Sequence, residues 1–408
     1  MLMRHSRVEK DGTYLHPPHT KVGYAGMLYV RSVMIHYLAL MLAKGVTIAT
    51  RYSCIRRQGE LKPGTGETKI LDYDTQMYKL FPYIASAYCF YFAGQRMRDI
   101  YFKISADVRE GDVSELAELH SIASGIKAFV TWESNHGVEI ARLACGGHGY
   151  SMSSGLPDLY AAVTASCTYE GDNTVLLLQV ARYLNKVCTG NGNGSTACPA
   201  YLRVRRTSGR STLDQSARLE DLIDLYEHAA RRMVYHCIDL VSMLEKRGYT
   251  PEDAWNTASN EWTRAAKAHV HHWLLVNFEK SVKEITDPSV KNVLSQLCCL
   301  FAIFGIYKRP GKFLEDGYMS SQQLSYIKLR MSELLHQLRP NAVGLVDAFG
   351  LTDRQLYSVL GRYDGQVYEN LLKWAQESPF NKKEVLDCHW KHLAPVMKEA
   401  QGALKARL

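Results

Sequence analysis

The sequence predicts an all-α fold, two packed helical bundles with a short non-helical remnant in front, and three observations predict it. Apolar residues recur at three- and four-residue steps over long stretches, no stretch alternates apolar and polar residues at period two, and no Asn-Gly pair lies between apolar runs. The length of 408 residues exceeds what one hydrophobic core ordinarily organises, so two cores are expected.

Residues 1–20 carry Gly12, Pro17 and Pro18 and too few apolar residues for a helix face, so they read as a loop or a strand remnant. From 25 to 58 no proline occurs, and Met27, Val30, Met34, Leu38, Leu42, Val46 and Ala49 mark one face of a long helix. Gly59, Pro63, Gly64 and Gly66 end it. A second helical stretch over 71–108 contains Pro82, which should break or kink it. A third runs over 113–144 and stops at the glycines of 146–149. After a short apolar stretch over 159–165, a helix over 175–186 can be capped by Asp172, Asn173 or Thr174. Residues 189–211, with Gly190, Gly192, Gly194, Pro199 and Gly209, have linker composition. Helical patterns resume over 215–246, 251–284, 288–307, 320–338 and 363–378. Pro251 after Thr250 and Pro288 after Asp287 fit first helical positions behind a cap. The organisation expected is a remnant over 1–20, a first bundle over 21–188, a linker over 189–212, a second bundle over 213–395 and a tail over 396–408.

With 46% hydrophobic and 22% charged residues, the composition is that of a soluble globular protein rather than a disordered one. The formal charge of +8 is spread out. Its densest cluster, Arg203, Arg205, Arg206 and Arg210, lies in the linker and reads as solvated, so nucleic acid is not an expected partner. The cysteines have no metal-ligand spacing and read as reduced thiols, and no metal is expected. Charged residues at 4, 5, 7, 9 and 10 argue against a secretory signal. The apolar stretch over 33–43 is short of the ~20 residues a membrane span needs and reads as a buried helix.

The candidate chemistry lies in Cys145-Gly146-Gly147-His148-Gly149-Tyr150 and in Thr168-Tyr169-Glu170-Gly171-Asp172-Asn173-Thr174 at a helix entry. Either fragment alone reads equally as a turn, or as a favourable acidic charge before a helix. Together they suit a nucleotide cofactor approaching bare backbone at Gly146, Gly147 and Gly149, with a carboxylate at Glu170 placed among apolar segments. Removing a weakly acidic proton beside a thioester carbonyl needs such a positioned base.

Gly-Gly-His-Gly-Tyr at 146–150, followed by Thr-Ala-Ser-Cys-Thr-Tyr-Glu-Gly-Asp-Asn-Thr-Val-Leu-Leu-Leu-Gln-Val-Ala-Arg at 164–182, resembles the peroxisomal acyl-CoA oxidases, which are related to the acyl-CoA dehydrogenases. The resemblance extends over the whole chain and implies oxidation of an acyl-CoA to a trans-2-enoyl-CoA by FAD, with O2 reduced to H2O2. It makes Glu170 the catalytic base. It places Arg56, Gly146, Gly147, Gly149, Asp172 and Thr174 at the cofactor, with Arg56 reaching the FAD of the neighbouring subunit of a homodimer. It puts Arg31 near the acyl-CoA pocket, although Arg31 also reads as a solvated arginine. Arg31 and Arg56 share one face of the first helix, about 37 Å apart. Two departures stand out: Gly59 follows Arg56-Arg57-Gln58 where the dehydrogenases usually have phenylalanine, and Leu143 replaces their FAD-touching glutamine. Residues 344–378 look closest to the branched-chain and bile-acid-intermediate oxidases. Ala406-Arg407-Leu408 resembles the C-terminal address read by the peroxisomal import receptor. The family's N-terminal helical domain and β-domain have no counterpart here, so one alternative is a truncated, non-catalytic dimerisation fragment of that enzyme; the other is an acyl-CoA dehydrogenase, against which the second helical bundle and the C-terminal tripeptide favour the oxidase. The chain alone is expected to fold yet bind FAD weakly.

Overall fold

The computed structural model describes residues 6–16, 25–110, 112, 114–190, 199–205 and 209–405. The chain opens on a two-residue antiparallel ribbon, β1 Arg7–Val8 with β2 Tyr14–Leu15, in which Val8 faces Tyr14. Among the described residues, regular structure after it is helical apart from a single bridge between Arg57 and Lys69: α1 Ala25–Ile55, α2 Asp74–Arg109, α3 Leu116–Ala144, α4 Leu156–Ala165 and α5 Asn173–Cys188. There follow α6 Leu219–Lys246, α7 Pro251–Thr257, α8 Ser259–Lys283, α9 Pro288–Lys308, α10 Gly311–Leu314 and α11 Ser321–Leu338. The chain ends through α12 Ala342–Asp347, α13 Asp353–Leu356, α14 Val367–Glu377 and α15 Ala394–Lys405.

The caps behave as side-chain chemistry dictates. Asp172 accepts from the Thr174 and Val175 amides at the start of α5, Thr250 from Asp253 at α7, and Asp287 from Ser289 and Val290 at α9. Two boundaries differ from the sequence pattern. Pro82 lies inside α2, which continues through it. The loss of one backbone hydrogen bond, which costs about 3 kcal/mol in an isolated helix, is offset by burial of Leu80, Phe81 and Ile84 beside it. The stretch 251–284 is two helices, α7 and α8, separated at Ala258. The final helix, α15, has an amphipathic pattern that the sequence reading leaves in the tail.

α1 packs against α2 and α3, α6 against α8, and α11 against α9. α1 and α9 are long and apolar enough to cross a membrane, but two thirds of the apolar window of α1 faces the core, where Leu38, Leu42 and Val46 are fully buried. Among the described residues two hydrophobic clusters form, and the segment around residue 200 does not divide them. The larger runs from Leu28 to Val367. The smaller joins Ala128, Leu176, Leu177 and Leu184 to Val234, Trp262 and Ala265. Each cluster therefore takes residues from before and after the expected linker, because α5 docks on α8 and α2 on α8 and α9.

A buried arginine ties the last third of the chain to α1. Arg51 donates from Nε and Nη2 to Asp347 Oδ1 at 2.9 and 2.8 Å and from Nη1 to the Gly361 carbonyl at 2.7 Å, with Asp353 at 3.7 Å. Among the described residues no cysteine is bonded to another and no cluster of metal-ligating side chains occurs. Arg205, from the basic cluster, is paired with Asp239.

Candidate active site

The turn between α4 and α5 is where the local sequence departs furthest from ordinary backbone. Glu170 sits at φ 58° and Gly171 at φ 113°, so two consecutive residues occupy conformations that side chains disfavour. A Cβ on Gly171 would stand 3.0 Å from Leu176 Cδ2 and 3.2 Å from Arg31 Nη2, so glycine is required there for space as well as dihedral.

Two buried cations hold the turn. Arg31 of α1, 3% exposed, donates from Nε to the Glu170 carbonyl at 2.8 Å and from Nη1 to Ser124 Oγ at 3.3 Å. It is therefore no solvated arginine. Burial pulls its pKa down, and the Glu170 charge works in the opposite direction. Lys127 of α3, fully buried, donates to the Gly171 carbonyl at 2.6 Å and to Asn173 Oδ1 at 3.0 Å. Burial lowers its pKa to about 8 against the pull of Cys167, with Arg31 lowering it further. Thr131 closes the network on the Asn173 amide.

With its backbone fixed by these donors, the Glu170 side chain is half-buried and its Oε2 has no hydrogen-bond partner. A carboxylate oxygen kept from water and left unpartnered is available to accept a proton from a bound molecule. Around this end of α1 lie exposed apolar side chains, Tyr29, Val30, Val33, Tyr37 and, from the turn itself, Tyr169.

The glycine segment lies at the other end of α1. Gly146–Tyr150 forms a 3-10 turn after α3, and the His148 ring meets the edge of Tyr52 at 5.9 Å. Gln76 anchors the turn by donating to the Ala144 carbonyl at 2.8 Å and to Ser53 Oγ at 3.0 Å. The three glycines differ. A Cβ on Gly149 would fall 1.9 Å from the Arg142 carbonyl, so the chain's own packing demands glycine there. Cβ atoms on Gly146 or Gly147 would meet nothing within 4 Å, which leaves their backbone open to an approaching group. Arg56, just past the end of α1, donates to Gln58 Oε1 at 2.7 Å and lies 3.5 Å from the Tyr368 hydroxyl. At the end of the glycine segment, Tyr150 is 81% exposed.

The structure therefore brings Arg31, Glu170 and the Asp172 cap together, and places Arg56 with Gly146, Gly147 and Gly149 at the other end of the same helix, about 37 Å from Arg31. Thr174 contributes its amide to the Asp172 cap, and its side chain is exposed. Lys127, Ser124, Thr131 and Asn173 escape the sequence reading. A single lysine within 113–144 carries no sign that it is buried. Residues 344–378 are engaged in packing: Asp347 and Gly361 hold Arg51, and Phe349 stacks near Tyr88. Ala406, Arg407 and Leu408 lie outside the described residues.

Residues 24–185 match the family described as acyl-CoA oxidase, C-alpha1 domain, and residues 218–398 match the family described as acyl-CoA oxidase. The peroxisomal acyl-coenzyme A oxidase 1 of Rattus norvegicus is 43% identical over 97% of this chain, which spans 61% of that protein. An acyl-coenzyme A oxidase of Caenorhabditis elegans is 42% identical, over 98% of this chain and 60% of its own length. Among solved structures, acyl-CoA oxidase-1 of C. elegans complexed with FAD and ATP superposes with a TM-score of 0.90 at 41% identity, over 97% of this chain and 60% of that one. Acyl-CoA oxidase-2 of the same organism, bound with FAD, ascaroside-CoA and ATP, gives 0.91 at 42% identity, over 98% and 60%. The chain thus spans about three fifths of the relatives it matches.

Proposed function

Since the chain belongs to the acyl-CoA oxidase family, we propose that, as part of a complete oxidase, it provides the base for the α,β-dehydrogenation of an acyl-CoA, and that this base is Glu170. The observation that carries the reading is the Glu170 carboxylate: it stands on a turn fixed by Arg31 and Lys127, with one buried oxygen left without a partner. In the proposed reaction the acyl α-C–H bond breaks, its proton passes to the Glu170 carboxylate, and its electron pair forms the new Cα=Cβ bond as hydride leaves the β-carbon. When bound, FAD supplies the acceptor for that hydride and passes the electron pair to O2, giving H2O2.

The chain's residues at the far end of α1 fit the FAD of a neighbouring subunit, not the one that takes the hydride beside Glu170. The open backbone of Gly146 and Gly147 admits a close approach, and the partly exposed Arg56 guanidinium offers charge to a pyrophosphate. Arg31 and Lys127 act on the turn rather than on substrate: they hold Glu170 in place and keep two positive charges near the carboxylate. By resemblance the complete enzyme is a homodimer in which Arg56 reaches the neighbouring subunit's FAD.

Glu170→Gln in the complete protein should retain FAD and lose peroxide formation by a hundredfold or more, in the range of about 10²–10⁴ expected for a general base. Activity within tenfold of the parent would remove Glu170 from this role. The peroxisome is the proposed location, because the relatives are named peroxisomal and the C-terminal tripeptide resembles the import address. Deleting Ala406–Leu408 from a fluorescently tagged protein should move it to the cytosol, and unchanged punctate fluorescence would refute that address.

A further inference from the structure

The last helix, α15, has little of its own chain to pack on. It grows out of a π turn over His389–Leu393, in which the Ala394 amide bonds to the His389 carbonyl. Pro395 sits at this junction, where its missing amide hydrogen and its ring would interrupt an α-helix. Apart from the π turn, no helix packs extensively on α15, and its side chains are exposed almost throughout.

This exposed helix is nevertheless sorted into faces. Leu393, Val396, Met397 and Ala400 follow one another at steps of one, three and four, and Trp390 stands about one turn ahead of them. Trp390 is 62% exposed, Val396 60%, Leu393 51% and Met397 48%, so the apolar face has no cover within the chain. Beside it Lys391, Lys398 and Lys405 recur at steps of seven, which sets them in a row along the helix. The ion pairs nearest in sequence, Lys373 with Glu377 and Lys383 with Asp387, involve none of them. Against these three lysines, residues 389–405 carry one acid, Glu399.

A helix of this length is marginal in water unless its apolar face is covered. A second copy of the chain matches the face poorly. Trp390, Leu393, Met397 and Ala400 fit the a and d positions of a coiled coil, but they span fewer than two heptads. The flanking Ala394, Val396, Gln401 and Ala403 carry no charge to select a partner helix. The formal charge of +8 per chain also gives the lysine row nothing attractive in another copy.

We propose that α15 lies on an anionic phospholipid surface. Leu393, Val396 and Met397 enter the boundary between headgroups and acyl chains, Trp390 stays at headgroup level, and the lysine row reaches the negative headgroups. Such a surface supplies both things the helix lacks, apolar cover on one side and negative charge along the next. The lysines keep the helix lying in the surface and prevent it from crossing. The inference does not depend on the role given to Glu170.

Co-sedimentation of the 408-residue chain with vesicles of phosphatidylcholine and phosphatidylserine in equal parts tests the proposal. Binding is expected, and vesicles of phosphatidylcholine alone should bind at least about tenfold more weakly. Lys391→Gln combined with Lys398→Gln should weaken binding about 25-fold, at about fivefold per lysine near the surface. Leu393→Ser combined with Met397→Ser should weaken it at least about tenfold. Both double variants should melt with the parent, because the face packs on nothing within the chain; if one does not fold, Trp390→Ser takes its place. At about 1 M salt, where the Debye length is about 3 Å, the parent should bind no better than the lysine variant. No sedimentation with the mixed vesicles overturns the proposal. So does equal weakening by Lys186→Gln combined with Lys328→Gln, exposed lysines of α5 and α11, because that would mark net charge rather than this helix. A dimer in sedimentation velocity that the Leu393→Ser and Met397→Ser variant dissolves, without vesicle binding by the parent, assigns the face to a second copy and overturns it as well.

Discussion

Replacing Lys127 by methionine keeps the length of the side chain and removes a charge from a fully buried position, so it isolates what that charge does to stability. In the native fold burial lowers the lysine from the ordinary value of 10.5 to about 8. That gap corresponds to about 3 kcal/mol between the protonated and neutral forms. The sign follows from proton binding. Below pH 7 both folded and unfolded chains carry the proton. Between about 8 and 10.5 the folded chain has released it while the unfolded chain still holds it, so unfolding takes up a proton and native stability rises with pH. From pH 7 to pH 10 this contribution amounts to about 2–3 kcal/mol. The methionine variant lacks it. It also loses the bonds to Gly171 and Asn173, but those shift the comparison by a nearly constant amount and leave its slope intact. Urea titrations of parent and variant at pH 7, 8, 9 and 10, both carrying Cys167→Ser because that thiol is shifted upward by burial and coupled to Lys127, read the difference directly. A parent-minus-variant stability that gains about 2–3 kcal/mol over this range is the expected result. A flat difference would show that Lys127 titrates as a solvated lysine and does not hold the Glu170 turn as a buried cation.

Gly149→Ala should cost about 2–3 kcal/mol, because its Cβ would overlap the Arg142 carbonyl. Gly147→Ala should stay within about 0.5 kcal/mol of the parent yet weaken FAD retention in the complete protein. Denaturant unfolding together with flavin absorbance separates the two, and equal destabilisation would contradict the difference in space. Asp172→Ala removes the acceptor of the Thr174 and Val175 amides and should cost about 1–2 kcal/mol in urea unfolding; an unchanged midpoint would mean that α5 starts without this cap.

How much of this was legible beforehand depended on whether a feature is local. The first helix, read over 25–58, ends at Ile55, because its signal is a periodic apolar face followed by glycines and Pro63. The starts of α7 and α9 were readable from Thr250-Pro251 and Asp287-Pro288, since capping acts within four residues. Pro82 misled because its penalty is local, while the burial that offsets it comes from other helices. Which helices share a core was not legible for the same reason: where α5 leans is decided by α8, some eighty residues later. At the candidate site, the Glu170-Gly171 motif was visible in the sequence, but not the left-handed backbone of Glu170 or the partners that hold it. Arg31 and Lys127 are 139 and 44 residues from the carbonyls they bind. No spacing rule reaches that far.

The Arg51 brace also sets an order of events during synthesis. Its guanidinium sits in the first helix, while the Gly361 carbonyl that completes its hydrogen bonds lies 310 residues further on. At about 5–20 residues per second, translation delivers that acceptor roughly 15–60 s after Arg51 has been made. Until then the far end of α1 carries a charge that cannot be withdrawn from water without an uncompensated penalty. Helices α1 to α5 can collect around their own apolar faces early, but that corner of the assembly has to stay hydrated or be sheltered by a chaperone. A ribosome that stops before residue 361 releases a chain in which the Arg51 guanidinium lacks its Gly361 acceptor.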